Sequence, residues 1–438
     1  MDDVLGPETR FLAHHHPFRR AFPRTVRKEN PVTTSRTGEP TRSAVPQWHD
    51  RKRYLWLFGL VPPTAVLLAA GLVWLFNRLG WHDAAPVWWW IGPLLLYVLL
   101  PTLDRFFGPD GQNPPDEVME QLENDRYYRY CVYAYIPFQL ISLVFACYLW
   151  SASDLSWLGI DGGLGLVSKI GLALSIGTMG GVGINTAHEL GHKKDELERW
   201  LSKITLAQTF YGHFYIEHNR GHHVRVATPE DPASSRLGES FWTFLPRSVW
   251  GSLRSSWSLE RTRLQRMGKR PWTIHNDVLN AWLMSVVLWG ALAAIFGPIV
   301  LPFLVLQAVY GFSLLETVNY LEHYGLLRQR TAAGRYERCT PEHSWNSDHI
   351  VTNIFLYHLQ RHSDHHANPT RRYQILRSMD GAPNLPSGYA SMITVAYFPP
   401  LWRRVMDRRV LAHYGGDITR ANIQPGKRDR VLAKLGAR

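Results

Sequence analysis

Cysteine is scarce in this sequence, and its scarcity excludes two kinds of protein. The 438 residues include three cysteines, Cys131, Cys147 and Cys339, and no two of them form a CxxC pair. A disulfide scaffold needs several cysteines at regular spacing, and a thiolate metal site needs such pairs. We therefore expect reduced thiols and no cysteine-bound metal.

The sequence also lacks the motifs of a nucleotide- or nucleic-acid-binding protein. It has no Gly-rich phosphate loop, no internal repeat and no basic and aromatic interleaving of the kind that accompanies a nucleic-acid recognition fold. Its formal charge of +12 therefore needs another explanation. The chain is 45% apolar and carries 18 Trp, 19 Tyr and 18 Phe, a composition that indicates a membrane protein.

Long apolar stretches are what the sequence has instead. A helix needs about 20 apolar residues to cross a bilayer, and six stretches are long enough. They lie near 54–77, 87–107, 131–150, 163–187, 278–296 and 299–321. The sequence therefore predicts an all-α membrane protein with six transmembrane helices.

The distribution of positive charge predicts the orientation in the membrane. Between Arg19 and Arg53 there are ten Lys or Arg and three acids, and Lys and Arg resist translocation. The N-terminus is thus expected in the cytoplasm, and six spans return the C-terminus to the same side. We expect a flexible basic tail (1–50), transmembrane helices 1–4 (51–187), a first cytoplasmic cap segment (188–277), helices 5–6 (278–322) and a second cap segment with the basic C-terminus (323–438).

Histidines are concentrated in four motifs, all of which fall on the cytoplasmic side in this topology. HELGHK contains His188 and His192, EHNRGHH contains His218, His222 and His223, NYLEHYG contains His323, and LQRHSDHH contains His362, His365 and His366. Side chains three and four positions apart leave one face of a helix, so rings at this spacing can share a metal ion. Nine imidazoles exceed what one ion takes, and the sequence therefore predicts two. Imidazole suits Fe, Zn, Cu and Ni alike.

Two other functions also fit some of these motifs. HELGH matches HExxH, in which two His bind zinc and the Glu is the general base of a protease. A zinc protease needs only one further ligand and would leave at least five of the histidines unused. A metal carrier is the non-enzymatic alternative, but it needs ligands along a path inside the spans, and these histidines lie beside them.

Together the four motifs resemble those of a known family, the integral-membrane non-haem di-iron alkane monooxygenases. The resemblance continues through NPPDEV (113–118), DRYYRY (125–130), ATPEDPASSRLGES (227–240) and HSWNSDHIVTN (343–353), and it covers roughly residues 52–420. Related membrane desaturases and hydroxylases share only the sparser histidine motifs. The longer N-terminal tail departs from the usual pattern.

The resemblance implies an activity and its cofactors. The nine histidines would bind two irons that activate O2 and hydroxylate the terminal methyl of medium-chain n-alkanes to primary alcohols. The protein would be located in the bacterial inner membrane. Its electrons would come from rubredoxin, which is itself reduced by rubredoxin reductase. Some relatives carry a fused rubredoxin, which needs two CxxC pairs. This chain has none, so a separate, acidic rubredoxin is expected to dock on the basic cytoplasmic surface.

Further site residues are suggested by their position beside the histidines. Carboxylates should hold the rings and offset the charge of the metals; the candidates are Glu189, Glu217, Asp231, Glu322 and Asp364. Aromatic residues of the first three spans would set the depth of an apolar substrate tube, and Trp56, Phe58 and Phe138 are the principal candidates. The basic residues after Arg403 predict either a lipid-facing surface or a docking surface for an acidic protein.

Overall fold

The computed structural model describes residues 48–436, so nearly all of the predicted tail lies outside the described residues. The predicted fold class is confirmed. Within residues 48–436 the regular secondary structure is helical, and backbone pairing of the β type is limited to isolated bridges.

Six helices of the described part are long and apolar enough to cross a membrane, as the sequence predicts. Each lies within a few residues of its predicted position. We number them as spans one to six: Arg53–Arg78, Ala85–Phe107, Arg126–Ser151, Leu166–Gly191, Asp277–Phe296 and Pro298–His323. Pro62 and Pro63 lie at the start of the α-helical part of span one, Val61–Arg78, where a missing N–H costs no hydrogen bond.

The remaining α-helices of six residues or more form a polar portion in three sections of the chain. Helix α1 lies between spans two and three, α2 and α3 lie between spans four and five, and α4 to α8 follow span six. Their bounds are Asp116–Asn124 (α1), Glu196–Leu206 (α2), Phe241–Arg266 (α3), Ile350–Phe355 (α4), His362–Ala367 (α5), Tyr389–Ala396 (α6), Pro399–His413 (α7) and Arg428–Leu435 (α8).

Spans four and six pack closely enough to bring their backbones into contact. A Cβ on Gly181 would lie 3.0 Å from the Gly311 carbonyl oxygen, and one on Gly311 would lie 3.0 Å from the Gly177 carbonyl oxygen. Small residues permit such an approach between helices in a membrane. Because span four continues to His188 and span six ends at His323, this packing fixes the relative positions of two histidine motifs.

Candidate metal centre

Two of the histidine motifs lie at the ends of packed spans. His188 lies in the last turn of span four and His192 immediately follows its last residue, so their imidazoles project from one face. His323 is the last residue of span six. His188 and His323 are buried, and the two spans therefore present their ligands to the interior of the polar portion.

The EHNRGHH motif forms a π-helical turn, Glu217–His222, followed by one short α-helical turn. A π turn widens the helix by about one residue and often occurs at functional sites. It brings His218 and His223, five positions apart, to within 3.0 Å of each other through their Nε2 atoms. The ring of His222 projects in a different direction from that of His223. The wider turn thus directs two neighbouring histidines to two separate sites.

The last motif is helical only from His362 onward. A helix over 357–366 would place His358 on the face of His362, but Tyr357 and His358 have positive φ of 52° and 55°. Helix α5 accordingly begins at His362. The Nδ1–H of His358 instead donates to the Tyr373 carbonyl oxygen, 2.9 Å away.

The nine histidines form two groups whose ligand nitrogens converge. The five-histidine group is His188, His192, His218, His223 and His365, and the four-histidine group is His222, His323, His362 and His366. Within each group the ligand atoms all lie within 4.8 Å of one another. The split runs through two motifs, since His222 and His223 belong to different groups, as do His365 and His366.

The spacing of these nitrogens fits metal coordination. Nε2 of His365 lies 2.8 Å from Nε2 of His188 and 3.1 Å from that of His223. In the other group, Nε2 of His362 lies 2.9 Å from Nε2 of His366 and 3.2 Å from that of His323. Two nitrogens bound about 2.1 Å from one ion at a right angle are about 3.0 Å apart. The rings are thus arranged as ligands around a point.

The hydrogen bonds that two of the rings make through Nδ1, away from the converging Nε2 atoms, also indicate metal binding. His222 Nδ1 lies 2.9 Å from an Asp231 carboxylate oxygen, and His323 Nδ1 lies 3.1 Å from the His343 carbonyl oxygen. Both partners only accept, so each Nδ1 carries the proton and each Nε2 presents a lone pair to the centre. The buried Nε2 atoms of His222 and His192 have no hydrogen-bond partner among the described residues, and a cation would satisfy them.

The environment keeps these imidazoles neutral, which is the form that binds metal. Burial, followed by repulsion from neighbouring histidines, lowers the pKa well below its usual value in six histidines of the two groups that lie outside the spans. These are His192, His218, His223, His362, His365 and His366. Burial alone would raise the pKa of Asp231, but His222 and a hydrogen bond from Ser234 lower it to about 2, so this carboxylate is ionised.

The candidate carboxylates differ in what they contact. Asp231 accepts from His222, and Glu322 Oε2 lies 3.2 Å from His362 Nε2, on the side of the ring that faces the other ligands. Glu189 instead pairs with Lys193 at 2.9 Å, and Glu217 with Arg225 at 2.7 Å. Asp364 pairs with Arg371 at 2.6 Å. Only Asp231 and Glu322 of these five contact a histidine of either group.

Two features of the centre had no clear signal in the sequence. The His343 carbonyl that holds His323 is a backbone atom, so no side-chain motif marks it. Lys193, buried between spans and loops, pairs with Glu189 and donates to the Arg371 carbonyl at 2.8 Å. It thereby joins the HELGHK motif to the segment after α5. A lysine directly following a histidine motif is a weak signal, because most lysines are on the surface.

An apolar cavity lies between spans two, four and six and helices α4 and α6. Its walls include Asn185, Val318 and Leu359, which are within one helical turn, or four residues along the chain, of His188, Glu322 and His362. A second cavity of about 460 Å³ between spans one and two and α4 shares Leu100 and Phe355 with the first. The two cavities are therefore adjacent, and Leu100 and Phe355 stand in the wall that they share.

The three aromatic candidates for substrate contact lie in different places. Phe58 lines the larger cavity. Trp56 is buried, with its ring centroid 4.7 Å from His358 and 5.0 Å from Tyr373, and it lines neither cavity. Phe138 of span three is 36% exposed and also lines neither. Sequence reasoning did not identify Leu96, Leu100, Phe355 and Ala390, because apolar residues on spans are too common to single out.

Comparison with known proteins identifies the class first. Residues 167–423, more than half of the chain, match the family described as fatty acid desaturase. This range contains all nine histidines of the two groups.

More similar relatives define the group within that class. Alkane 1-monooxygenase of Acinetobacter baylyi is 49% identical over 388 residues, which are 88% of this chain and 92% of the relative. Alkane 1-monooxygenase 1 of Alcanivorax borkumensis is 44% identical over 91% of this chain and 96% of its own length. Alkane 1-monooxygenase of Ectopseudomonas oleovorans is 44% identical over 90% and 94%. The chain belongs to the alkane 1-monooxygenases of the fatty acid desaturase family.

Proposed function

We propose that the protein is a membrane-bound, non-haem di-iron alkane 1-monooxygenase that hydroxylates the terminal methyl of medium-chain n-alkanes. The observation that carries the proposal is the convergence of two histidine groups at the ends of spans that also enclose an apolar cavity, with a second apolar cavity adjacent to it. An alkane has no polar group by which to be held, so it must be recognised by an apolar wall alone. The names of the relatives indicate the same reaction.

The two groups are suited to hold one iron each. Imidazole and carboxylate are ligands that iron accepts, and Glu322 stands beside His362 as an additional donor to the four-histidine group. When bound, the irons would supply the activation of O2 and the cleavage of an unactivated C–H bond. The protein's residues would set ligand orientation through Asp231 and the His343 carbonyl and would exclude water from the reacting methyl.

We propose that the two adjacent cavities form one apolar passage in the working enzyme and that this passage gives terminal selectivity. An n-alkane dissolves in the bilayer and would pass between spans one and two, where Phe58, Leu95 and Phe107 line the larger cavity. Since the inner cavity is bounded by residues one turn from the ligands, a chain inserted lengthwise would bring its end to the metals first. Each methylene contributes about 0.8 kcal/mol when buried, so the length of the passage would set the preferred chain length.

The protease alternative is disfavoured by the contacts of Glu189. In an HExxH protease this Glu is the general base and must reach a metal-bound water. Here it accepts from Lys193 and, at 3.3 Å, from the Tyr373 backbone N–H, and it contacts no histidine of either group. At least five of the other histidines would also lack a role in that reaction.

We further propose that electrons come from a separate acidic rubredoxin, reduced in turn by rubredoxin reductase, and that the histidine centre and both termini face the cytoplasm of a bacterial inner membrane. The basic segments before span one and after span six favour the cytoplasmic side and would complement the charge of an acidic donor. Docking that depends on charge should weaken as salt is raised.

The proposal is tested with protein purified in mild detergent. We expect two irons per chain and, with reduced rubredoxin and O2, conversion of n-octane to 1-octanol. His323→Ala should lose both an iron and the activity, whereas His82→Gln, at an exposed histidine outside both groups, should retain them. A single zinc and no alcohol would contradict the proposal, and an alkene product would indicate a desaturase.

A further inference from the structure

The junction between α6 and α7 reaches into the level of the spans. The hydroxyl of Tyr397 lies 3.4 Å from that of Tyr97, which in turn lies 2.9 Å from that of Tyr310. Tyr97 and Tyr310 are near the middle of spans two and six. The chain after span six therefore returns to contact the membrane-spanning helices before α7 begins at Pro399.

Large apolar side chains are exposed around this junction. Phe398 is 59% exposed, Leu401 45% and Trp242 57%. The indole N–H of Trp242 donates to the Tyr397 carbonyl at 3.0 Å, which ties the start of α3 to the same place. Exposed Trp and Phe beside spans are typical of the membrane–water interface. We conclude that the first turn of α7 lies at that interface.

Arginines follow on the same face of α7. Arg404 and Arg408 lie three and seven positions after Leu401, so all three project from one side of the helix, and all three are exposed. In α7 the apolar first turn is thus followed by cationic side chains. At a membrane surface, this order lets apolar residues contact the acyl chains while the arginines extend toward the lipid headgroups.

These arginines border a cleft between α7 and α8 that has an excess of positive charge. The cleft has a volume of about 340 Å³ and is lined by Pro400, Arg403, Arg404, Asp407, Arg408, Lys434 and Leu435. Its one carboxylate, Asp407, accepts from the Tyr324 hydroxyl at 3.0 Å and lies 3.7 Å from Lys434. Among the described residues, no carboxylate oxygen lies within 4.0 Å of the three guanidinium groups.

We propose that this α7 cleft binds the phosphate headgroup of an anionic phospholipid. The three arginines have no carboxylate within 4.0 Å, so their positive charge is available to a phosphodiester anion. Guanidinium groups bind phosphate through paired N–H donors. The lipid's acyl chains would lie along Leu401 and Phe398. An acidic protein is a poorer fit, because the same face carries exposed apolar side chains that the bilayer already covers.

The test compares two double variants that each remove two exposed arginines. Arg404→Gln with Arg408→Gln changes the cleft, and Arg335→Gln with Arg338→Gln is the matched control in the loop after span six. The probe is dioctanoyl-phosphatidylglycerol, titrated into detergent-purified protein while the midpoint of thermal unfolding is recorded. Dioctanoyl-phosphatidylcholine and inorganic phosphate are titrated in parallel.

We expect phosphatidylglycerol to raise the unfolding midpoint of the unmodified protein and the control at the same lipid concentration. The cleft variant should need about 10- to 30-fold more lipid, since each arginine near an anionic headgroup contributes roughly 1 kcal/mol. Phosphatidylcholine and free phosphate should have little effect on any form.

Three outcomes would overturn the proposal. Equal responses of the cleft variant and its control would show that the arginines do not bind the lipid. An equal effect of inorganic phosphate would indicate a site for a free anion. A cleft variant that binds phosphatidylglycerol normally but has lost affinity for reduced rubredoxin would assign the surface to an acidic protein.

Discussion

The two histidine groups are built from the same side chain but are held in different ways. In the four-histidine group, Asp231, Glu322 and the His343 carbonyl each contact a ligand ring, and all four histidines are buried. In the five-histidine group, the ring nitrogens of the described structure have hydrogen-bond contacts only with one another. Two of its members, His192 and His223, are only partly buried.

This difference indicates two ways to stabilise a metal ion with neutral ligands. The four-histidine group has one imidazole fewer but gains negative charge from Asp231 and a further oxygen donor from Glu322. The five-histidine group relies on the number of its imidazoles and on the rigidity of the elements that carry them. We therefore expect the two ions to respond to different substitutions.

The largest effect should follow the loss of a ligand. His188→Ala removes a ligand of the five-histidine group and His323→Ala one of the four-histidine group. Each should lower alkane hydroxylation by about 100-fold or more, because the proposed mechanism uses both metal ions together. Turnover of n-octane by purified protein measures the loss. A variant of either kind that retains full activity would show that its group is not part of the active centre.

A second effect tests the rigidity of the five-histidine side. Lys193→Met removes a buried cation and leaves the buried Glu189 carboxylate unpaired, which typically costs about 3–5 kcal/mol. The thermal unfolding midpoint should fall, and iron bound by this group should become easier to chelate. The double variant Glu189→Gln with Lys193→Met should recover part of the stability. Equal midpoints for the single and double variants would contradict the role of this pair.

The spans were predictable from the sequence because an apolar run is a local signal. Span five, predicted near 278–296, is Asp277–Phe296 in the structure. The existence of a histidine centre was predictable for the same reason, since HELGHK and RHSDHH each place rings at helical spacing.

The division into two groups was not predictable in this way. His222 and His223 are adjacent in sequence, and only the π turn sends them to different groups. A wider turn of this kind has no sequence pattern that distinguishes it from an α-helix. The anchoring of His323 depends on the backbone of a residue 20 positions away, which is set by tertiary packing.

A smaller effect should separate the two groups through their carboxylates. Asp231→Asn removes the charge that holds His222 while keeping its shape. Loss of a carboxylate that hydrogen-bonds a metal-binding histidine typically lowers metal affinity or activity about 10- to 100-fold. We expect competition with a chelator to remove one iron at lower chelator concentration and to leave the other unaffected. Asp364→Asn, whose carboxylate contacts arginines instead of histidines, should change stability more than iron affinity.

The smallest effect concerns Cys339, in the segment between His323 and His343. Burial raises the pKa of its thiol to about 11, so little thiolate is present at pH 8. Alkylation by iodoacetamide at pH 8 should be about 100-fold slower than that of a free thiol and should accelerate as pH rises toward 11. Mass spectrometry of the Cys339 peptide gives the rate. His323→Ala should increase it and His188→Ala should not, and the opposite order would contradict the anchoring of this segment by His323.

The most direct test of two separate metal sites uses neighbouring histidines of α5. His365 belongs to the five-histidine group and His366 to the four-histidine group. The iron content of the unmodified protein, His365→Ala and His366→Ala should be measured together with the Mössbauer spectrum of each. We predict two irons per chain in the unmodified protein, about one in each variant, and different spectra for the iron that the two variants retain. A single metal ion per chain in the unmodified protein, or identical spectra from both variants, would contradict the account.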